Sequence, residues 1–398
     1  MTNLPQGWEV KKLEEIANIK GGKRLPKGEN LLDNNTKFAY IRVADFQDNG
    51  TINLQNIKFI NENTYNVLKN YKIYDDNLYV SIAGTIGKSG IIPKELNGAI
   101  LTENAVKLEY IQNNISNKFM YFFTLSSSFK TQIQTSTKIV AQPKLAITRL
   151  KQIEIPLPPL KEQERIVGIL DESFAKIDES IKILEQDLLN LDELMQSALQ
   201  KAFNPLKDNA KENYKLPQGW EWKSLEEISE NISAGGDKPK NCTESKTAKN
   251  QIPVYANGVN NNGLVGYTDK ATIIKPSLTI SARGTIGFVC IRKEPYFPIV
   301  RLISLIPYEN ILCLHYLYFC LNFFIAKGEG SSIPQLTIPK FKSLQIPLPP
   351  LKEQEQIASH LDELSSHVKN LKQNYQAQIK DLQELKKSLL DKAFKGNL

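Results

Sequence analysis

Two runs of apolar residues at heptad spacing dominate the hydrophobic pattern. In the first, Leu170, Phe174, Ile177, Ile181, Leu184, Leu188, Leu191 and Met195 recur at alternating steps of four and three. That is the signature of a helix with one apolar seam. In the second, Leu361, Leu364, Val368, Leu371, Tyr375, Ile379, Leu382, Leu385 and Leu389 recur in the same way with one step of slack. The same ten residues lead into each run, Ile155-Pro-Leu-Pro-Pro-Leu-Lys-Glu-Gln-Glu164 and their repeat at 346–355, and each run closes on Lys-Ala-Phe, at 201–203 and 392–394. The offset between copies is 191 at both ends (346 − 155 and 392 − 201), so the two runs have equal length. Pro156, Pro158 and Pro159 hold the lead-in extended, and a proline at a helix start loses no hydrogen bond. Glu162 and Glu164, like Glu353 and Glu355, suit the positive end of the helix dipole better than an acid–base pair. Asn204-Pro205 stops the first run and Gly396 lies just past the second. Each helix of about 40 residues should be roughly 60 Å long.

The rest of the pattern is short strands. Phe38–Val43, Asn77–Ile82 and Ala105–Tyr110 are strand candidates before the first run; Ile252–Tyr255, Ser277–Ser281, Gly287–Ile291 and Leu302–Ile306 are candidates before the second. An aromatic-rich helical stretch follows in each block, at Asn117–Phe129 and Leu312–Ala326. Both blocks open alike: Leu4-Pro-Gln-Gly-Trp-Glu-Val-Lys-Lys-Leu-Glu-Glu-Ile16 matches residues 216–228 at eleven of thirteen positions. Leu-Pro-Gln-Gly is a turn, and Leu13, Ile16 and Ala17 give the following stretch the spacing of a short helix. A third landmark, Ser81-Ile-Ala-Gly-Thr-Ile-Gly87, returns as Ser281-Ala-Arg-Gly-Thr-Ile-Gly287. The offset falls from 212 to 200 to 191 along the chain, so the second block is the same architecture with shorter variable segments. Repetition on this scale is the first property to explain.

The resulting fold class is α+β: two globular α/β domains joined by two long helices, with an internal pseudo-twofold repeat. The boundaries read 1–154 and 216–345 for the domains, 155–204 and 346–398 for the helices, and 205–215 for a polar linker. An apolar seam on so long a helix needs a partner, and the nearest is its own repeat. A twofold across the seam makes the pair an antiparallel coiled coil, with the blocks at opposite ends of one rod. The expected seam is Leu170, Phe174, Ile177, Ile181, Leu184, Leu188 and Leu191 against Leu361, Leu364, Val368, Leu371, Tyr375, Leu382 and Leu389.

Charge sharpens this picture. The net charge is +7 over 398 residues, but residues 1–150 carry +6 and 206–343 carry +5, whereas 151–205 carry −5 and 344–398 carry +1. Two basic blocks fit an anionic partner such as nucleic acid and, equally well on charge alone, a solvated surface with excess lysine. No apolar run reaches the roughly 18 residues of a membrane span, and the N-terminus has no signal-peptide pattern, so a cytoplasmic protein is expected. The four cysteines form no CxxC pair and read as reduced thiols.

Candidate catalytic chemistry is sparse. Gly84-Thr-Ile-Gly-Lys-Ser89 fails the phosphate-loop spacing because position 82 is Ile. It reads instead as a tight turn, against a phosphate backbone or simply between strands. His315, His360 and His367 have no HExxH pattern and no cysteine at ligand spacing, so no metal is expected. No nucleophile elbow or dinucleotide fingerprint is present. Basic and amide side chains in the variable segments are the DNA-contact candidates: Lys20, Lys23, Arg24, Lys27, Arg42, Lys88, Lys138 and Lys144 in the first block, and Lys238, Lys240, Asn257, Asn260, Arg283, Arg301 and Gln335 in the second. Arg and Lys can read guanine, Asn and Gln can read adenine, and others only hold phosphate.

Two variable blocks, each opened by Leu-Pro-Gln-Gly-Trp and closed by a Gly-Thr-Ile-Gly turn and Pro-Leu-Pro-Pro-Leu-Lys-Glu-Gln, resemble the specificity (S) subunit of type I restriction–modification systems. The resemblance covers essentially the whole chain. It implies two target recognition domains, each reading one half of a split, asymmetric site in double-stranded DNA, with an antiparallel coiled coil as the spacer. It implies docking of two modification subunits that methylate adenine, and of restriction subunits. S-adenosylmethionine, ATP and Mg would belong to those partners, with no cofactor, catalytic residue or membrane contact in this chain. The rival readings are a stand-alone bipartite DNA-binding or architectural protein and, more remotely, a nuclease with a hidden metal site.

Overall fold

The computed structural model describes residues 4–34, 36–136, 144–203, 216–325 and 336–398. The expected linker 205–215 lies outside them. In the first block β1 (Glu9–Lys12) runs into a single helical turn, α1 (Leu13–Ile16), and then β2 (Ala17–Gly21). Leu13 and Ile16 are buried as their spacing requires. Ala17 departs from the helical expectation: at φ −147° and ψ 143° it opens the strand. Next come β3 (Ala39–Ile41), β4 (Lys58–Phe59), α2 (Glu62–Val67), β5 (Lys72–Ile73), β6 (Leu78–Ser81), β7 (Ser89–Ile91), β8 (Ala99–Leu101) and β9 (Ala105–Tyr110). They form two four-stranded sheets, β2-β9-β6-β7, all antiparallel, and β4-β3-β8-β5, with β3 and β8 parallel. The helical stretch after β9 divides at Ser126 into α3 (Asn117–Leu125) and α4 (Ser127–Ser136). The Ser126 hydroxyl donates to the Phe123 carbonyl at 2.7 Å and accepts from the Phe129 N–H at 3.3 Å, so it replaces the backbone ladder there. The block closes with α5 (Ile147–Lys151) and β10 (Glu154–Leu157), which pairs antiparallel with β1 and feeds α6 (Leu160–Phe203).

The second block repeats this topology: β11 (Glu221–Ser224), β12 (Ser229–Ala234), β13 (Ile252–Tyr255), β14 (Leu264–Thr268), β15 (Ser277–Ile280), β16 (Val289–Arg292), β17 (Phe297–Pro298) and β18 (Ile303–Pro307). The sheets are β12-β18-β15-β16 and β14-β13-β17, the latter with β13 and β17 parallel. A single bridge, Ile273 to Tyr296, stands where the first block has β5 against β8. Then follow α7 (Leu314–Phe324), α8 (Ile338–Lys342), β19 (Gln345–Leu348), paired with β11, and α9 (Leu351–Ala393). Leu225–Ile228 forms a turn instead of a second copy of α1. The Glu226 N–H is spent on the Lys342 carbonyl (3.1 Å) and the Glu227 N–H closes an i→i−3 bond to Ser224 (3.1 Å).

The chain divides into two compact units, one of residues 1–184 with 377–398, the other of residues 185–376. Each therefore takes half of each long helix, and in each the helices run antiparallel. In the first, Arg165 bonds the Leu398 carbonyl (2.8 Å) and Asp178 pairs with Lys386 (2.7 Å), so one helix ascends as the other descends. In the second, Asp192 pairs with Lys372. There too Leu199 and Phe203 at the end of α6 share a core with Ala358 and Leu361 near the start of α9, so the senses are again opposite.

The Lys-Ala-Phe ends are core plugs. Phe394 sits 5.1 Å from Phe119 and 5.4 Å from Phe123, in a core shared with Leu78, Val80 and Leu170. Phe203 sits 5.4 Å from Tyr316, in a core shared with Leu278, Ile280 and Leu361. Leu170, Phe174, Ile177, Leu191, Leu361 and Val368 are buried; Ile181, Leu184, Leu188, Leu364, Tyr375, Leu382 and Leu389 are half-buried. Leu371 departs from the expected seam at 39% exposure, and Leu385, a member of the apolar run though not of that seam, is 48% exposed. From Val368 the inward stripe runs through Lys372, Tyr375, Ile379, Leu382, Lys386, Leu389 and Ala393. That is an unbroken alternation of four and three; the slack in the apolar pattern came from two lysines holding heptad positions.

Candidate nucleic-acid interface

Each helix is fastened to its domain by the glutamine of Lys-Glu-Gln. Gln163 and Gln354 are 1% and 0% exposed. The Gln163 Oε1 accepts the Ser116 N–H (2.9 Å), and its Nε2 donates to the carbonyls of Pro158 (2.9 Å) and Asn114 (3.1 Å). Gln354 repeats the pattern with the Cys313 N–H (2.9 Å) and the carbonyls of Pro349 (2.8 Å) and Ile311 (2.9 Å). One buried amide thus joins the proline lead-in, the first helical turn and the loop before α3 or α7. The flanking glutamates face outward: Glu162 is held below its ordinary pKa by hydrogen bonds from Arg165, and Glu353 accepts the Trp220 indole N–H at 3.1 Å.

At the far end of each central sheet a Gly-Gly pair crosses the strand connection next to the Gly-Thr-Ile-Gly turn. A Cβ on Gly22 would lie 2.1 Å from the Thr102 carbonyl oxygen, and one on Gly235 would lie 2.6 Å from the Ile299 nitrogen, so only glycine permits these approaches. In the second unit Asn257 binds the loops there together. Its Oδ1 accepts the Ala282 N–H (2.8 Å) and its Nδ2 donates to the Val300 carbonyl (2.6 Å). Around it stand Arg283 in the Gly-Thr-Ile-Gly turn, Asn260 in the 256–263 loop and Arg301 beyond Val300, all exposed. The Gly258 N–H reaches the Ser281 hydroxyl at 3.3 Å. Asn257 thus braces the backbone just before Arg283 and just before Arg301, both exposed, and Asn260 is exposed three residues along its own loop. Lys238 and Lys240 are exposed just past Gly236.

The first unit builds the same crossing with different charges. Ile82 donates its N–H to the Asn104 carbonyl (2.8 Å) and Ala83 does so at 3.3 Å, while Arg24 Nε bonds Glu103 at 2.6 Å. Burial pushes the Glu103 carboxyl up, but hydrogen bonds from Arg24, its own backbone and Thr102 outweigh this and hold it below the ordinary value. Lys144 is exposed and bridges to Ala83, beside the turn. Lys23 and Lys27 are exposed near Arg24, and the Lys23 ammonium stands 5.8 Å from the Tyr71 ring.

Other candidates have different duties. Lys20 lies within β2, not in a loop, and pairs with Glu109 at 2.5 Å. Arg42 makes a bidentate bridge to the buried Asp45 (2.6 and 3.1 Å). Lys88 pairs with Asp48 at 2.8 Å. Lys138 and Gln335 lie outside the described residues. Sequence reasoning passed over Gln163 and Gln354, although the repeated Lys-Glu-Gln was itself a signal, and it passed over Val300. Among the described residues no group of three or more His, Cys, Asp or Glu could hold a metal ion, and no helix is long and apolar enough to cross a membrane.

One scaffold built twice, with a fixed clamp at the helix and a differently charged tip, defines a two-site recognition protein. The type I restriction modification DNA specificity domain matches it twice, over residues 5–188 and 217–381, and the chain belongs to that family. It is 29% identical over 355 residues to a proposed type I specificity subunit of Mycoplasma pneumoniae, S.MpnORF507P, covering 89% of this chain and 88% of that one. It is 30% identical over 205 residues to the specificity subunit of the Escherichia coli type I restriction enzyme EcoBI, covering 50% of this chain and 42% of that one. The fold matches a chain from a structure concerned with complex assembly and conformational transition of the type I R-M system, at TM-score 0.81, 21% identity and full coverage of both chains.

Proposed function

We propose that each unit reads one half of a split, asymmetric site in double-stranded DNA, that the paired helices fix the spacing, and that the chain itself catalyses nothing. Its partners are two modification subunits carrying S-adenosylmethionine and restriction subunits using ATP and Mg, in the cytoplasm. The observation that carries this reading is the contrast between clamp and tip. Gln163 and Gln354 make the same three hydrogen bonds, whereas Arg24 with Glu103 in one tip is replaced by Arg283 and Arg301 in the other. A fixed scaffold with variable contacts suits a reader whose sequence preference changes while its geometry does not.

The test lengthens both helices in register. Seven residues inserted after Leu184 and seven after Ile379, which are matched positions, preserve the heptad and add about 10.5 Å, or about three base pairs. Methylated adenines are then mapped in cells expressing the chain with its modification subunit. Native spacing should be lost and spacers longer by about three base pairs selected. Methylation still confined to the native spacing would overturn the ruler.

A further inference from the structure

Val300 and Arg301 form the most strained exposed feature of the second unit. Both take left-handed backbone angles, φ +53° and +60°. A β-branched residue such as Val300 is an outlier there, and the left-handed conformation is disfavoured by roughly 1–2 kcal/mol for each of the two residues. Burial does not explain the strain, because Val300 is 50% exposed and Arg301 is exposed. The surrounding structure imposes it. The Val300 N–H donates to the Gly236 carbonyl and the Arg301 N–H to the Gly235 carbonyl, both at 2.8 Å. The Leu302 N–H closes the turn on Ile299 (3.1 Å), and Asn257 holds the Val300 carbonyl. Among the described residues the Arg301 side chain has no ion pair or hydrogen bond. The result is a rigid knuckle that presents two methyl groups and an uncommitted guanidinium to solvent. The matching segment of the first unit, Thr102–Asn104, has no left-handed residue, and its Glu103 is engaged by Arg24.

We propose that this knuckle is a base-reading element of the second half-site: Arg301 binds the O6 and N7 edge of a guanine in the major groove, and Val300 packs its methyl groups on the neighbouring base edge. This rests on the DNA-reading function proposed above. Strain held in place by surrounding bonds at an exposed point indicates a preorganised backbone, and the planar guanidinium fork it carries fits guanine bidentately.

The full-length chain, wild type and variants, is incubated with a duplex library randomised in both half-sites, and bound duplexes are sequenced. Wild type should require guanine at one position of one half-site. Arg301→Ala should relax that position alone, with discrimination falling roughly 5- to 150-fold. Arg301→Lys should keep overall binding yet lose discrimination there. Val300→Gly, which the left-handed angle favours, should melt no lower than wild type while weakening preference at the adjacent position. Uniformly weaker binding by Arg301→Ala with the motif intact and a shallower salt dependence would assign Arg301 to phosphate and overturn the proposal. A wild type that selects a bipartite motif untouched by any of the three variants would overturn it while leaving the DNA-reading function standing. A wild type that selects no sequence would overturn both.

Discussion

The Oε1 of Gln354 accepts the backbone N–H of Cys313 at 2.9 Å, joining the first turn of α9 to the loop that starts α7. With Gln354 fully buried and its Nε2 shared between two carbonyls, no other side chain can serve all three groups. Glutamate lacks the donor and leucine lacks everything. Gln354→Leu should lower stability by about 2–4 kcal/mol, because it strands buried backbone groups, and Gln354→Glu should be at least as damaging. Glu355→Ala, at the exposed neighbour, should change stability by less than about 0.5 kcal/mol. Urea denaturation of the three variants checks this, and equal losses at 354 and 355 would remove the clamp from the account.

Phe203 closes the first repeat in sequence yet fills the core of the second domain. Phe203→Ala should cost about 3–5 kcal/mol. Its effect should be local, with hydrogen exchange rising in α7 and β15 but not in α3 or β6. Phe394→Ala should do the reverse, with exchange rising in α3 and β6. Loss of protection in the domain that precedes each phenylalanine in sequence would contradict this exchange of ends.

The repeats and long helices were legible because helix periodicity and proline punctuation act locally, within a few residues. The heptad was misread at Leu371 because binary patterning counts leucine as inward and lysine as outward. A lysine stem can lie along the seam and deliver its charge to an acid on the next helix, as Lys372 does. The tips were legible only as a set of basic residues. Arg24, Arg42 and Lys88 look alike in sequence to Arg301, and only three-dimensional neighbours show that Glu103, Asp45 and Asp48 engage them. Val300 gave no signal, because a valine in a left-handed conformation is set by bonds to residues 43 and 64 positions away in the chain.

The two seam lysines bear on which helix pairs with which. The repeat puts Ile181 and Met195 where α9 has Lys372 and Lys386, and puts Lys369 and Gln383 where α6 has Asp178 and Asp192. The pairs therefore form only between α6 and α9; two α9 helices in the same register would oppose Lys386 with Lys369. Polar seam residues of this kind select partners while lowering stability. Lys372→Leu with Lys386→Leu should raise the unfolding free energy by about 1 kcal/mol per site, read as a higher urea midpoint. The double variant should also self-associate in sedimentation experiments at concentrations where the parent chain does not. A stabilised variant whose self-association matches the parent would deny the lysines a role in partner choice.

Glu109 sets an acid limit on the first unit. Burial raises its carboxyl, but Lys107 and Lys20, each at 2.5 Å, more than offset this and hold it below its ordinary value of 4.5. A carboxylate with a depressed folded-state pKa stabilises the fold above its unfolded value, and that contribution is lost as pH falls through the folded value. Lys107 is itself 5% exposed and also donates to the Lys72 carbonyl, so removing the Glu109 charge leaves a buried ammonium without an anionic partner among the described residues. Glu109→Gln should therefore be less stable than wild type at pH 7, by about 1 kcal/mol given the partial exposure of Lys20. The gap should narrow below pH 4.5 and close as wild-type Glu109 protonates. Urea midpoints between pH 7 and pH 3 measure this. A gap that stays constant across the range would mean that the shape of the side chain, and not its charge, carries the effect.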